Sequence, residues 1–155
     1  MVSLILGTSF FVGINIFISG TRLRDRLVAR LGENGYRIVF SLLSLGGIVW
    51  MCVAYNGAPY VPLWGRIEGL IPVTVVLVFL GFLIGVPGLL MRSPTAVGGE
   101  AGAGPLAATG VLRVTRHPFL WGVTLWALGH LIANGDVASL IFFLGFLVLA
   151  VGGQF

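Results

Sequence analysis

The chain has 155 residues, of which 57% are hydrophobic and only 9% are charged, and its mean hydropathy is +1.06. A soluble globular domain carries about 25% charged residues, so this composition cannot cover a water-facing surface and predicts a membrane protein. The net charge is only +4, which favours a role in membrane topology over a nucleic-acid partner. The single cysteine, Cys52, excludes an internal disulfide and is expected to be a small buried hydrophobic residue.

Five apolar stretches are candidates for membrane-spanning helices, each of which needs about 20 residues. Their runs are continuous, unlike the alternating strands of a membrane barrel, and helices satisfy their own backbone polar groups in lipid. The expected fold is therefore an all-α, polytopic transmembrane bundle of about five spanning helices, in a single domain over residues 1–155. The five stretches are Val2 to Ser19, Ile38 to Tyr55, Ile71 to Met91, Pro118 to Ala133 and Val137 to Gly152.

The positions of the arginines predict the orientation of the chain. Alternate loops carry eight of the nine basic residues, all of them arginines, and the loop between the second and third stretches carries only Arg66. By the positive-inside rule the two basic loops are cytoplasmic, with the N-terminus outside and the C-terminus inside. The eight are Arg22, Arg24, Arg26, Arg30, Arg37, Arg92, Arg113 and Arg116.

The first basic loop also contains a periodic pattern. Leucines and arginines each recur every four residues between Arg22 and Leu31, which predicts a short amphipathic helix lying at the lipid interface. Gly32 and the Asn34-Gly35 pair are expected to break it before the next helix.

The segment from Arg116 to Asp136 holds both histidines of the chain. His117 precedes Pro118, so a helix is expected to begin there. With Arg113 nearby, Arg116 and His117 form either a small anion-attracting site or a set of arginines reaching lipid phosphates. At the other end of this helix, Gly135 is expected to form a left-handed cap and Asp136 to cap the next helix.

His130 lies within the apolar run, one helical turn after Trp126. An ionisable residue inside a membrane is a functional candidate, and neutral imidazole is a common metal or haem ligand. The alternative is a polar residue that is hydrogen-bonded near the outer interface. The thirteen residues between His117 and His130 correspond to about 20 Å of helix, so the two cannot share one metal ion. Asn15, in the first stretch, is expected to form a hydrogen bond with a neighbouring helix.

Three segments, LRDRLVARLGENGYRIVFSLLSL, YVPLW and RHPFLWGVTLWALGHLIANGD, resemble the NnrU family of integral membrane proteins. The resemblance implies a multi-helix protein of the bacterial inner membrane that is linked to denitrification, where members are needed for nitrite and nitric oxide reduction. Its partners would be the lipid bilayer and other membrane proteins or further copies of itself. Such proteins often continue beyond the fifth helix, so the resemblance also suggests a shortened C-terminus.

The plant branch of the family implies a cofactor. It contains the zeta-carotene isomerase, which holds haem b between two histidines. His130 matches one ligand position, whereas the other, in the first helix, is occupied by Asn15, and an amide is a poor haem ligand. The resemblance thus makes His130 the candidate metal ligand and Trp126, Asn15, Arg116 and His117 further candidates for cofactor binding. The alternatives are a haem-dependent carotenoid-type isomerase and a non-enzymatic assembly or regulatory protein.

A second resemblance concerns TGVLRVTRHPFLWG, which is similar to the RHPxYxG motif of membrane isoprenylcysteine and phospholipid methyltransferases. It implies binding of S-adenosylmethionine. Arg116, His117, Pro118 and Gly122 match, but Leu120 stands where tyrosine is expected. Those enzymes also use acidic residues after a later helix, and here Asp136 is the only acid beyond Glu100. Methyl transfer is therefore the disfavoured alternative.

Overall fold

A computed structural model describes residues 1–18, 21–90, 110–113 and 115–154, and these form five α-helices. Short 3-10 helices cover Glu68–Leu70 and Gly110–Arg113, and the described residues contain no strand beyond one isolated bridge. The prediction of an all-α fold is confirmed, while Arg92 and the ends of two predicted stretches, Ser19 and Met91, lie outside the described residues. The helices are α1 (Val2–Phe17), α2 (Arg22–Asn56), α3 (Ile71–Leu90), α4 (Pro118–Asn134) and α5 (Val137–Gly152).

Two helical segments are long and apolar enough to cross a membrane, Arg22–Asn56 and Glu68–Leu90. The other three helices have 16 or 17 residues, which gives each of them a length of about 25 Å, short of the roughly 30 Å hydrocarbon core. Among the described residues two helical segments therefore have the length and composition that spanning requires, and the prediction of about five spanning helices is not confirmed.

The apolar side chains of the two long segments point outward. Only 11% of the most apolar part of each is buried, which is the reverse of the core helix of a soluble protein. Cys52 lies on this outward face of α2 and is exposed. The expectation that it would be buried is wrong, because the surface of this fold accommodates apolar residues as readily as its interior.

Contacts between side chains fix the relative directions of the helices. The Trp50 indole donates to the Ser3 hydroxyl at 3.0 Å, and Phe11 packs near Gly47, so α1 and α2 are antiparallel. Successive helices alternate in direction through the rest of the bundle. Two ends result: a "turn end", where α2 meets α3 and α4 meets α5, and a "basic end", which carries the arginine-rich start of α2 and the start of α4.

Helix α5 links two pairs of helices. It packs against α1 and α2 on one side and against α4 on the other, while α3 packs mainly on α4. The described bundle is therefore a row of two antiparallel pairs, α1–α2 and α3–α4, with α5 between them.

A bend at Gly32 divides α2. Gly32 has φ 71° and ψ 162°, a conformation that residues with a side chain rarely adopt. The predicted break at Asn34-Gly35 is wrong, since both residues lie within the helix after the bend. Glu33 accepts from Arg24 on one side of the bend at 3.2 Å and from Arg37 on the other at 3.0 Å. The bend thus ends the amphipathic segment and fixes its angle.

Helices α3 and α4 approach backbone to backbone. Gly81 and Gly85 of α3 face Gly122 of α4, and Gly88 faces Pro118. A β-carbon built on Gly122 would lie 2.6 Å from the Gly85 α-carbon. Small residues spaced four apart allow this close approach of helices in membranes, and the glycines make α3–α4 the tightest pairing in the bundle.

The turn end is held by backbone hydrogen bonds between two loops. The Gly135 carbonyl accepts from the N–H groups of Leu63, Trp64 and Gly65 at 2.8, 3.2 and 3.0 Å, and Pro62 bridges Asp136. Gly135 has φ 58°, a left-handed cap, and Asp136 caps α5 by accepting from the Ser139 N–H at 3.0 Å. Both cap predictions are confirmed. The loop that contains the YVPLW segment is hydrogen-bonded to the turn between α4 and α5, Asn134-Gly135-Asp136.

Candidate functional site

His130 lies half-buried on α4, toward the turn end. Its Nδ1 atom is 2.8 Å from the backbone carbonyl of Trp126, one turn earlier in the helix. Because a carbonyl can only accept, the proton lies on Nδ1 in the neutral ring. The other nitrogen, Nε2, has no hydrogen-bond partner within the described part of the chain and keeps its lone pair.

Aromatic rings surround the imidazole. His130 stacks on Phe143 of α5 with ring centres 4.6 Å apart and planes at 20°, and Trp126 lies 5.1 Å away at 51°. Trp126 in turn meets Phe143 and Phe146 edge-on. The sequence singled out Trp126 by its spacing on the same helix, but it gave no signal for Phe143, which reaches His130 from α5.

Next to this cluster is a buried polar chain that joins α2 to α5. The Ser139 hydroxyl donates to the Asp136 carboxylate at 2.5 Å and lies 2.9 Å from the Tyr55 hydroxyl. A carboxylate can only accept, so Tyr55 donates to Ser139, which is 1% exposed. Tyr55 also packs edge-on against Phe143. Neither Tyr55 nor Ser139 was predicted from the sequence. The spacing of Ser139, three residues after the capping Asp136, could have indicated the contact between those two residues.

Asn15 lies at a different depth from His130. Its side-chain amide donates to the Phe11 carbonyl of its own helix at 2.9 Å. Phe11 contacts Phe146, and Asn15 follows Phe11 by one turn toward the basic end, whereas His130 stacks on Phe143, nearer the turn end. The two residues are thus separated by roughly 10 Å or more along the bundle, and one ion cannot contact both.

Arg116 and His117 lie at the basic end, at the start of α4. The His117 N–H donates to the Thr115 hydroxyl at 3.1 Å, and its carbonyl accepts from Trp121 at 3.1 Å, so Pro118 begins the helix as predicted. Arg116 is exposed. Since α4 is continuous from Pro118 to Asn134, the two histidines lie near its opposite ends. Of the predicted site residues, Trp126 and His130 are in direct contact.

The described residues contain no group of three or more His, Cys, Asp or Glu side chains that could hold a metal ion. Within the described part of the chain, His130 therefore does not belong to a cluster of this kind.

An apolar groove runs along α3 and α4 from Trp126 toward the basic end. Its volume is about 260 Å³. Trp126 lines this groove and also contacts His130, so one side chain connects the two features. The lining residues are Gly81, Phe82, Gly85, Val86 and Leu89 of α3 and Phe119, Gly122, Val123 and Trp126 of α4.

Comparison with known proteins gives one match. Neither a curated protein nor a solved structure matches the chain. The family model described as "NnrU protein" matches residues 3–155, which include α1 to α5 and both motif-bearing loops of the turn end. With nearly its whole length matched, the chain belongs to the NnrU family.

Proposed function

We propose that this chain is an integral membrane protein, with all five helices in the bilayer, that binds haem through His130 in support of nitrogen-oxide respiration. The outward-facing apolar side chains support the membrane assignment, because in water they would form an apolar surface far larger than a soluble monomer exposes. The bilayer can thin locally around the three shorter helices at modest cost. The arginines of the basic end favour placing that end in the cytoplasm.

The single observation that carries the haem proposal is the hydrogen bond from His130 Nδ1 to the Trp126 carbonyl. Histidines that bind metals commonly donate their second ring N–H to a carbonyl, which fixes the tautomer and makes the metal-binding nitrogen more basic. His130 has this arrangement, with Nε2 left to coordinate.

The surroundings of His130 suit a haem held by one protein ligand. Trp126 and Phe143 hold the imidazole plane from two helices, and the apolar surroundings suit a macrocycle. Asn15 donates to its own helix and lies nearer the basic end than His130. When bound at His130, haem would supply an iron centre able to bind a small molecule such as nitric oxide, which accords with the nitrogen-oxide link of the family.

The groove favours a second candidate function. Its described lining is entirely apolar, and it ends at Trp126, beside His130. An elongated hydrocarbon could enter it sideways from the lipid, as a carotenoid-type cis-trans isomerase would require. This activity depends on the same His130 ligand, so haem binding is the first question for both candidates.

Absorbance spectroscopy tests the proposal. Protein purified in mild detergent and supplied with haem should show a Soret band, with a shift when carbon monoxide is added to the reduced form. His130→Ala should lower haem occupancy at least about tenfold, since even the loss of an outer partner of a metal ligand costs about 10–100-fold. His130→Gly should recover the band on addition of imidazole, which distinguishes a lost ligand from a damaged fold.

His117→Ala is the matched control, because it removes the other histidine at the far end of the same helix. It should leave the band unchanged. Absence of a Soret band in the wild type, or an unchanged band in His130→Ala, would contradict the proposal.

The respiratory role is tested separately. A denitrifying bacterium deleted for its own member of the family should regain nitrite and nitric oxide reduction with the wild-type chain but not with His130→Ala. Full complementation by His130→Ala would separate the respiratory role from haem binding, and failure of the wild type would contradict the respiratory role itself.

A further inference from the structure

The groove between α3 and α4 owes its shape to an uneven distribution of side-chain size. Its floor is formed by Gly81, Gly85 and Gly122, where the backbones nearly touch, and its sides include Phe82 and Phe119. Large rings beside a floor without side chains leave a long slot open to the membrane. The slot is therefore a direct result of the glycine packing that joins the two helices.

Positive charge lies at one end of this slot. Phe119 lines the groove at the basic end, and Arg116 lies three positions earlier, just before α4 begins at Pro118. Arg113 belongs to the 3-10 helix that packs against α3. Both arginines are exposed.

The length of the slot matches one leaflet of a bilayer. Trp126 lies eight positions after Pro118, where α4 begins, which is about 12 Å along the helix, and Arg116 lies two positions before Pro118. The hydrocarbon core is about 30 Å thick, so this length is about half of the core. A lipid whose head group lies at the arginines would therefore place its acyl chain along the whole groove, ending near Trp126.

We infer that the α3–α4 groove binds one phospholipid with an anionic head group, with the phosphate at Arg113 and Arg116 and an acyl chain along the slot. Guanidinium groups pair with phosphate through two parallel hydrogen bonds. In a lipid without net charge, the positive ammonium of the head group would repel the arginines and weaken this pairing. The head-group end of this site lies at the opposite end of α4 from His130, while its inner end is formed by Trp126, which contacts His130. Lipid binding can therefore be measured without haem.

Native mass spectrometry of the detergent-purified protein tests the inference. Phosphatidylglycerol should bind as a single adduct at least about tenfold more tightly than phosphatidylcholine with the same acyl chains, because each arginine near the lipid surface favours an anionic head group. The double variant Arg113→Gln/Arg116→Gln should remove that preference. Arg66→Gln, which changes an exposed arginine on the turn-end side, should not.

The apolar half of the site is tested by filling the slot. Val86→Trp places a large ring on a lining residue outside the glycine contact and should lower phosphatidylglycerol binding at least about tenfold. Val76→Trp, also exposed on α3 but outside the groove, should leave it unchanged. If Val86→Trp fails to fold, the arginine double variant alone decides.

Three results would overturn the inference. Equal binding of the two phospholipids would mean that the arginines do not select the head group. Oleate that binds as tightly as phosphatidylglycerol would make the ligand a free fatty acid. If the wild-type protein is a dimer and Val86→Trp dissociates it, the groove is an interface between two copies of the chain.

Discussion

The two helix pairs of this bundle are held together in opposite ways. Helices α3 and α4 touch through glycines, with backbone against backbone, whereas α1, α2 and α5 meet through large side chains such as Phe11, Met51 and Phe142. A backbone contact cannot yield to an added atom, while side chains can rotate but leave a void when shortened. The α3–α4 contact should therefore lose stability when one of its glycines is enlarged. The packing of α1, α2 and α5 should lose stability when a buried side chain is shortened.

The largest effect is expected from Gly122→Ala. The added methyl group would meet the Gly85 α-carbon and the Gly81 carbonyl at 2.6 and 2.7 Å, and neither can move without separating the helices. We expect a loss of more than about 3 kcal/mol in the free energy of unfolding, measured as a lower thermal midpoint in detergent. Gly46→Ala is the control, because no atom lies within 4 Å of its added methyl group. Equal midpoints for the two variants would contradict the backbone-contact description.

The next effect is expected from Phe142→Ala. Its buried ring contacts Tyr55, Phe143 and Phe146, so truncation would leave a cavity where α5 meets α2 and cost about 3 kcal/mol in the free energy of unfolding. Phe79→Ala removes a ring of the same size that is 64% exposed and should shift the thermal midpoint little. If both variants lower the midpoint equally, side-chain packing does not hold this half of the bundle.

A smaller effect is expected from Tyr55→Phe. This change removes the hydroxyl that donates to Ser139 but keeps the ring that packs on Phe142. One hydrogen bond is worth about 1 kcal/mol, so the thermal midpoint should fall modestly. Tyr60→Phe, at a side chain that is 64% exposed, should leave it unchanged. A midpoint for Tyr55→Phe equal to that of the wild type would mean that the polar chain does not stabilise the junction.

The smallest effect, and the sharpest comparison with Gly122, is expected from Gly47→Ala. Its added methyl group would lie 3.3 Å from the Phe11 β-carbon and 3.4 Å from the Phe10 ring. The Phe10 ring can rotate away, and the Phe11 β-carbon needs a shift of helix α1 of only a few tenths of an ångström, so the loss should stay below about 1 kcal/mol. A cost as large as that of Gly122→Ala would remove the distinction between the two pairs.

The features that the sequence predicted correctly are set by neighbouring residues. Proline after His117 starts α4, glycine at 135 ends it, and Asp136 starts α5, because each acts on backbone groups within one helical turn. The pairing of Trp126 with His130 is likewise a matter of helical spacing.

The features that it missed depend on which helices become neighbours. Phe143 reaches His130, and Gly122 meets Gly85, only because of the order in which the helices pack, and no spacing along one chain segment encodes that order. At the bend of α2, Gly32 alone takes the left-handed conformation, so Asn34 and Gly35 could stay helical. The predicted number of spanning helices, about five, is not confirmed for a physical reason as well. Helices α1, α4 and α5 are shorter than the hydrocarbon core is thick.

The position of α5 between the two pairs has a consequence for biogenesis. Neither hairpin, α1–α2 or α3–α4, packs extensively on the other among the described residues, and both are synthesised before α5. With all five helices in the bilayer, as proposed above, each hairpin would wait there with its future contact surface covered by lipid. Assembly of the two hairpins is completed only when α5 enters between them, so an interruption of translation just before Asp136 would leave two separate hairpins in the membrane.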